Sequence, residues 1–254
     1  MAFRTFAFAA FAALAAGCAT LAASAADPDV LWKIVHGACV PHMQEGGGPA
    51  PCEAADLAGG YAVLKDIRGD THYLLIPTAR ITGIEDPALL LPATPNFFAK
   101  AWRARGYTER AAGGPLPRDA ISLAINSPFG RSQNQLHIHI ECIRPDVREA
   151  LLRQQNLIGD RWAPLPEKLS GHRYWAMRVF GEELGPADPF ALLAAGRPGA
   201  GAHMDQQTLV VVGASFADGQ PGFLLLSHER SLPAGGRAHG EELQDHSCTL
   251  AHPI

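Results

Sequence analysis

The sequence predicts an α+β protein built on an antiparallel sheet with flanking helices. Two strand-like runs, at residues 61–65 and 71–77, are joined by the turn Arg68-Gly69-Asp70, which predicts a hairpin. A third run, from His137 to Glu141, alternates histidine with isoleucine, as a strand with one apolar face does. Segments with helical spacing lie between these strands.

Three helices are predicted around this sheet. Residues 30–40 place their apolar side chains on one side at helical spacing. Asn96 is a suitable cap for a helix that continues to Arg105, where Gly106 should end it. Pro145 opens the third helix.

The second half of the chain repeats this order of elements in a degenerate form. It is either a duplicated unit that has lost its chemistry or the completion of one larger sheet. The expected domain covers residues 27–254, with a catalytic half at about 27–160 and a second half at about 170–254. Its predicted elements are a strand at 173–180, a helix at 189–195, and strands at 208–212 and 222–227.

Length and charge restrict the classes of function. A chain of 254 residues with 47% hydrophobic residues can form a proper core as one large domain or two small ones. The formal net charge of -4 gives no bulk attraction to nucleic acid or to an anionic membrane surface. Any phosphate chemistry must therefore depend on local groups, and nucleic acid is not an expected partner.

The N-terminal segment, residues 1–26, has the pattern of an export signal. Arg4 is the only charged residue before Asp27, and an apolar run rich in Ala, Phe and Leu follows it. Two small-residue sites near Ser24 fit signal cleavage, whereas the length of the run also suffices for an uncleaved membrane anchor. Both alternatives place the mature chain on the periplasmic side of the inner membrane.

Four cysteines follow the N-terminal segment and would enter an oxidising compartment, where an even number favours disulfides. Cys39 and Cys52 flank a segment rich in Pro and Gly, so we expect a local bridge between them. By elimination, Cys142 should pair with Cys248 and so join the histidine strand to the C-terminal region.

The histidine strand carries the residues most suited to chemistry. His137, His139 and Glu141 share one face of the strand at spacings of about 7 Å, because side chains alternate between the two faces. A polar loop precedes the strand and offers hydrogen-bond donors for a phosphate. Such a face can attack or bind a phosphoryl group. The candidate substrate-binding residues are Asn126, Ser127, Arg131, Ser132, Gln133, Asn134 and Glu141.

These motifs resemble those of the histidine-triad superfamily of nucleotide hydrolases and transferases. Gln133 precedes His137 by four residues, and His139 follows two residues later, after a hairpin, a helix and Asn126. More closely, the export signal, the run Asn-Ser-x-x-Gly-Arg-Ser-Gln-Asn-Gln-Leu-His-Ile-His-Ile and the later Gly-His-Arg-Tyr-Trp-Ala are similar to the bacterial CDP-diacylglycerol pyrophosphatase family. The likeness covers most of the mature chain.

The resemblance implies a histidine-triad-like sheet and hydrolysis of CDP-diacylglycerol to CMP and phosphatidate at a membrane lipid surface. The nucleophile of the superfamily matches His139, and His137 beside it would orient the phosphate. Gln133 and Asn134 match phosphate contacts, and Asn126 matches a nucleotide contact. The third triad position is Glu141 instead of histidine, which leaves the role of this carboxylate open.

The chemistry of imidazole agrees with this assignment. A neutral imidazole is a competent nucleophile toward phosphorus at neutral pH and needs no partner to remove a proton first. His139 would form a covalent CMP-histidine intermediate that water then cleaves. Negative charge that develops on the phosphate oxygens would be stabilised by His137, Gln133, Ser132 and backbone N–H groups. Arg131 would contact the second phosphate. This scheme requires no metal or cofactor.

Three other functions are compatible with parts of the pattern. A His-x-His strand near a carboxylate also binds metals in small barrels, although Ile143 and Arg144 occupy the places where a further glutamate ligand would be expected. The other two functions are a nucleotide-binding module without catalysis and a transferase that passes CMP to another acceptor.

Overall fold

The computed structural model describes residues 1, 27–217, 219–230 and 236–252. Apart from Met1, the predicted export signal or anchor at residues 1–26 lies outside the described residues. Among the residues that are described, no helix is both long and apolar enough to cross a membrane.

The chain forms a mixed α/β structure around one antiparallel sheet of nine strands, in the spatial order β1-β2-β3-β5-β4-β8-β9-β7-β6. This confirms the predicted antiparallel sheet with flanking helices. Strands from both halves of the chain belong to the same sheet. The strands are β1 Ala54–Asp56, β2 Tyr61–Lys65, β3 Tyr73–Pro77, β4 Ile121–Ile125, β5 Ile138–Cys142, β6 Ala163–Pro164, β7 Trp175–Phe180, β8 Gln207–Ser215 and β9 Pro221–Glu229.

The described helices are short. The six α-helices are α1 Val30–Ile34, α2 Val40–Gln44, α3 Phe97–Ala104, α4 Gly106–Ala111, α5 Pro145–Gln154 and α6 Pro189–Gly196. A π-helical segment, Val35–Cys39, joins α1 to α2. Single 3-10 turns occupy Pro87–Leu90, Arg118–Ala120, Gln155–Leu157, Ala200–Ala202, Met204–Gln206, Gly240–Leu243 and Thr249–Ala251.

Local signals explain where several elements begin. The Asn96 side chain accepts a hydrogen bond from the Ala99 N–H at 3.0 Å, so it caps α3 as predicted. The hairpin of β2 and β3 is antiparallel, also as predicted. Gly106 differs from the expectation, because it begins α4 after α3 has ended. The N-terminal helical region also extends beyond the predicted end at Val40, with Pro41 in the first turn of α2.

The two faces of the sheet are covered differently. One face carries Ile138 and Ile140 and packs against α3 and α6 in the largest apolar cluster. The opposite face has two smaller clusters, one beneath α1 with Leu74 of β3 and one beneath α5 with Ala124 of β4. Since β5 pairs with both β3 and β4, its second face lies between these two clusters.

The halves of the sheet share one order of elements. In the first half β3 is followed by α3, β4 and β5, and in the second half β7 is followed by α6, β8 and β9. In space these strands lie in the order β3-β5-β4-β8-β9-β7, so the second set runs in the reverse order of the first. The junction is the antiparallel pair of β4 and β8.

Residues 238–248, which we call the C-terminal strap, lie along the end of β5. The Asp245 N–H donates to the Cys142 carbonyl at 2.8 Å, and Gln244 forms an antiparallel bridge with Ile143. Cys142 and Cys248 form a disulfide, as do Cys39 and Cys52, which agrees with both predicted pairings.

Candidate active site

His139 lies in the middle of the sheet. It is on β5, opposite Leu74 of β3 and Ala124 of β4, and its side chain projects into the space between the two small apolar clusters. Only 5% of the residue is exposed. Its position is therefore fixed by the strands on both sides, and its ring can contact only the groups that share this space.

Three groups surround the His139 ring. The His72 Nε2 lies 2.9 Å from His139 Nδ1. The Asn126 amide nitrogen, Nδ2, lies 3.4 Å from His139 Nε2, and the Glu241 Oε2 lies 3.6 Å from the same nitrogen. The two ring nitrogens thus face different environments, a histidine on one side and an amide with a carboxylate on the other.

The orientation of the Asn126 amide follows from a backbone hydrogen bond. Its Oδ1 accepts the N–H of Glu241 at 3.2 Å, so the Nδ2 group is the part that faces His139. An amide nitrogen can only donate, and therefore the His139 Nε2 has to be an acceptor with a lone pair. The ring proton of neutral His139 is then on Nδ1 and is donated to His72.

The C-terminal strap adds two further histidines, His239 and His246, beside Glu241. Glu241 accepts hydrogen bonds from Asn126 at 3.1 Å, from His239 at 3.1 Å and from His246 at 3.2 Å. The other nitrogen of His246 lies 3.8 Å from Glu141 Oε2. His246 therefore lies between two carboxylates.

Burial and charge move the pKa values of these groups in opposite directions. Burial lowers the pKa of His139 well below its ordinary 6.5, even though Glu241 opposes this shift. The ion pair with Glu141 and the hydrogen bond to Glu241 raise the pKa of His246 to about 9. Burial raises the pKa of Glu241, but hydrogen bonds from His239 and His246 outweigh that effect and the net shift is downward. At neutral pH, His139 is neutral, His246 is a cation and Glu241 is an anion.

His137 precedes β5 and lies at the edge of the same space. Its ring centroid is 4.9 Å from that of His139, and its Nδ1 donates to the Gln135 carbonyl at 2.7 Å. This leaves Nε2 as an acceptor. Burial also lowers the pKa of His137.

Several side chains of the polar loop make hydrogen bonds or ion pairs within the protein. Arg131 forms a two-point ion pair with Glu85, at 2.6 and 2.7 Å, so its guanidinium is already engaged. Gln133 donates to the Asp27 carbonyl and accepts from the Leu31 N–H, and thus holds the start of the N-terminal helical region.

The remaining loop residues divide into buried and exposed ones. Ser127 is buried and donates to the Arg237 carbonyl at 2.5 Å. Ser132 and Asn134 are exposed. Of the predicted substrate-binding residues, Asn126 contacts His139, and Glu141 lies on the same face of β5 as His139.

Sequence reasoning did not find His72, His239, Glu241 and His246. His72 follows from the register of the hairpin, since β3 pairs with β5 and places His72 on the same sheet face as His139. The expected Cys142–Cys248 bridge also contained a signal, because it brings His246 close to Glu141. No periodic pattern marks the strap itself, which consists of turns and one 3-10 segment.

A second polar cluster anchors the strap from the other half of the sheet. Glu242, next to Glu241, points away from His139 and accepts hydrogen bonds from Tyr174 at 2.7 Å and His172 at 2.8 Å. The His172 ring stacks on His228 at 4.8 Å. Adjacent glutamates thus connect the site to the second half of the sheet, which explains the Gly-His-Arg-Tyr-Trp-Ala run structurally.

This arrangement is suited to nucleophilic attack on an anionic group. The site contains a neutral imidazole with a lone pair on Nε2 and a cationic imidazole, and both are held by hydrogen bonds. Two titratable groups whose pKa values are moved apart commonly take the complementary roles of base and acid.

Comparisons with known proteins identify the family of this chain. Residues 26–252 match the model of a family described as CDP-diacylglycerol pyrophosphatase. A CDP-diacylglycerol pyrophosphatase of Yersinia pestis is 46% identical over 222 residues, which cover 87% of this chain and 84% of that protein. Among solved structures, a DUF4931 family protein of Bacillus cereus is similar with a TM-score of 0.44 and 12% identity, over 79% of this chain and 97% of that one.

Proposed function

The chain belongs to the CDP-diacylglycerol pyrophosphatase family, and from this membership we propose that His139 performs the hydrolysis through a covalent CMP-histidine intermediate. The chain is a hydrolase of CDP-diacylglycerol and acts in phospholipid metabolism. The observation that supports His139 as the nucleophile is the lone pair on its Nε2, assigned from the orientation of the Asn126 amide.

The proposed reaction has two displacements at the phosphorus attached to cytidine. In the first, the His139 Nε2 lone pair forms a bond to this phosphorus, and the bond to the bridging oxygen breaks. Phosphatidate leaves with that oxygen. In the second, a water oxygen bonds to the phosphorus, the N–P bond breaks, CMP leaves and the water proton passes to solvent.

Charge in both steps develops on phosphate oxygens, and the site offers donors and a cation to meet it. His246 is protonated at neutral pH, and its Nε2 lies 3.2 Å from Glu241 Oε1. In the proposed reaction, His137 orients the phosphate and Asn126 holds the nucleotide. Exposed Ser132 and Asn134, together with backbone N–H groups of their loop, complete the proposed contacts.

We class the sheet as histidine-triad-like and place the protein at the periplasmic side of the inner membrane, where its lipid substrate lies. Support for this location comes from the N-terminal sequence pattern at residues 1–26 and from the two disulfides. Fractionation of cells and protease protection of the intact chain test the location.

A single turnover in water enriched in oxygen-18 tests the proposed route. We expect all of the heavy oxygen in CMP and none in phosphatidate, because water attacks only after phosphatidate has left. Mass spectrometry of both products gives the answer. Heavy oxygen found exclusively in phosphatidate would reject the CMP-histidine intermediate.

The pH dependence of kcat/KM should reflect His139 and His246. His139 must be neutral to attack, and because its pKa is lowered from 6.5 by burial, the acid limb should lie below pH 6.5. His246 must be protonated, and because its pKa is raised to about 9, activity should fall as the pH rises through about 9. Activity should therefore be highest between these limits.

A variant separates the two limbs of this profile. His246→Gln should lower kcat/KM at pH 7 by about 10- to 100-fold and remove the alkaline limb, while the acid limb stays in place. If the variant keeps an alkaline limb near pH 9, that limb belongs to another group and His246 does not supply the charge.

A further inference from the structure

We propose, in an inference that rests on the proposed function, that Glu141 is a positioning residue that acts on His139 through His72. The buried carboxylate keeps a proton on the distant nitrogen of the His72 ring. His72 Nε2 then has a lone pair, accepts the Nδ1–H of His139 and leaves the attacking nitrogen without a proton.

The strand register brings His72, Glu141 and His139 together. Leu74 of β3 lies opposite His139 of β5, so the same antiparallel register places His72 opposite Glu141. Directly opposite residues have Cβ atoms about 5 Å apart and share one face of the sheet. Both His72 and Glu141 are fully buried, and their charges and dipoles are therefore poorly screened.

Hydrogen bonding determines which nitrogen of each ring carries the proton. Asn126 donates toward His139 Nε2, so the proton of neutral His139 is on Nδ1. At 2.9 Å this proton is donated to His72 Nε2, which has to be an acceptor. Burial lowers the pKa of His72, so this ring is neutral as well. Its single proton is therefore on Nδ1.

The His72 Nδ1 proton needs a negative partner, and Glu141 is the suitable one. Within the described part of the chain, His72 Nδ1 and Glu141 Oε2 are both buried and neither has a hydrogen-bond partner. A ring nitrogen of His72, a ring nitrogen of His246 and a Glu141 oxygen lie within 4.8 Å of one another. The other oxygen of Glu141 accepts from Thr71 Oγ1 and from the Cys142 N–H, both at 2.7 Å.

Two other carboxylates face the pair of histidines. Glu241 is 3.6 Å from His139 Nε2, but its oxygens already accept hydrogen bonds from Asn126, His239 and His246. Asp66 also lies near His72 and His139, but it is only half-buried and accepts the Arg68 N–H at 2.8 Å. Neither of them is fully buried, whereas Glu141 is; its Oε2 has no hydrogen bond and lies 3.8 Å from the His246 Nδ1.

His72, Glu141 and His246 also have side chains that could bind a metal, but the geometry of the two rings argues against a metal site. The His72 and His246 rings are stacked, with centroids 4.7 Å apart and planes inclined by 20°. Lone pairs of ring nitrogens lie in the ring planes, so two stacked rings cannot both direct them at one ion. A metal on His72 Nδ1 would also put the proton on His72 Nε2 and reverse the hydrogen bond to His139.

Glu141→Gln tests the role of the carboxylate. The amide keeps the volume of the side chain but removes its charge. We expect kcat to fall about 100-fold with little change in KM, because loss of a group that orients a reacting residue typically lowers the rate by roughly this factor. Glu141→Asp, which restores the charge, should recover part of the loss. Asp66→Asn is the matched control and should keep kcat within about 2-fold of the wild type.

Nitrogen-15 NMR of the histidine rings separates positioning from general destabilisation. In the resting wild type we expect the proton of His139 on Nδ1, and in Glu141→Gln an increased fraction with the proton on Nε2. An unchanged tautomer in Glu141→Gln, or an equal shift in Asp66→Asn, would overturn the inference. Loss of signal dispersion would show unfolding, in which case Glu141→Asp provides the comparison.

A double-mutant cycle checks that the effect passes through His72. In a His72→Asn background, Glu141→Gln should change kcat by less than about 2-fold, because the connecting ring is gone. Additive losses would overturn the route through His72. The nucleophile itself is tested separately by trapping CMP on His139, so a failed adduct rejects the proposed function, whereas an unchanged tautomer rejects only the role of Glu141.

Discussion

His139→Asn is expected to lose at least about 10⁴-fold in kcat, since removal of a covalent nucleophile costs this much or more in enzymes of known mechanism. The Nε2 of His139, which faces the Asn126 amide, is the lone pair that attacks in the proposed reaction. Asparagine retains polar atoms in a buried position, so the fold should persist. Release of CMP from CDP-diacylglycerol measures the loss, and circular dichroism checks the fold.

His137→Asn is the matched control, because the two histidines lie 4.9 Å apart between ring centroids and are buried to a similar extent. We expect a loss of about 10- to 100-fold for this variant, since in the proposed reaction His137 orients the phosphate without bonding to it. Acid-labile CMP should be trapped on wild-type protein and on His137→Asn, but not on His139→Asn. Adduct that maps to His137 would reverse the two roles.

Removal of the Cys142–Cys248 disulfide, by changing both residues to Ala, should have the largest effect on stability. This bridge joins residues 106 positions apart, and in the chain-entropy account a loop of that size contributes about 4 to 5 kcal/mol to the free energy of unfolding. The strap should also leave β5 more often, so Glu241 and His246 would spend less time in the site. We therefore expect reduced kcat/KM as well as reduced stability.

The Cys39–Cys52 bridge offers the control for this experiment. It spans 13 positions and lies in the apolar cluster beneath α1, so its removal should cost about 3 kcal/mol or less without moving the strap. Denaturant unfolding and kcat/KM below the unfolding transition are measured for both variants. Equal effects of the two bridges on kcat/KM would show that the strap does not depend on Cys248.

Local rules predicted a large part of the fold. Asn96 caps α3, the hairpin forms, and the alternation of His with Ile places His139 on one sheet face, because each of these depends on residues close in sequence. Gly106 is a residue typical of a helix end, yet it begins α4, since a glycine after a helix does not by itself determine where the chain turns next.

The composition of the site was less predictable, because it depends on contacts between distant segments. Arg131 has the chemistry of a phosphate ligand, but its partner is Glu85, which no local pattern connects to it. Glu241 and His246 come from a strap of turns, where neither helical nor strand periodicity applies. Only the pairing of Cys142 with Cys248 gave a long-range constraint on that strap.

The location of Glu241 and His246 after β9 has a consequence for biosynthesis. The ribosome completes β5 with His139 long before it adds the strap, so a nascent chain contains His139 without Glu241 and His246. A product cut short by a premature stop codon after β9 should bind the lipid poorly and turn it over slowly. Full hydrolysis thus requires the synthesis of residues 238–248.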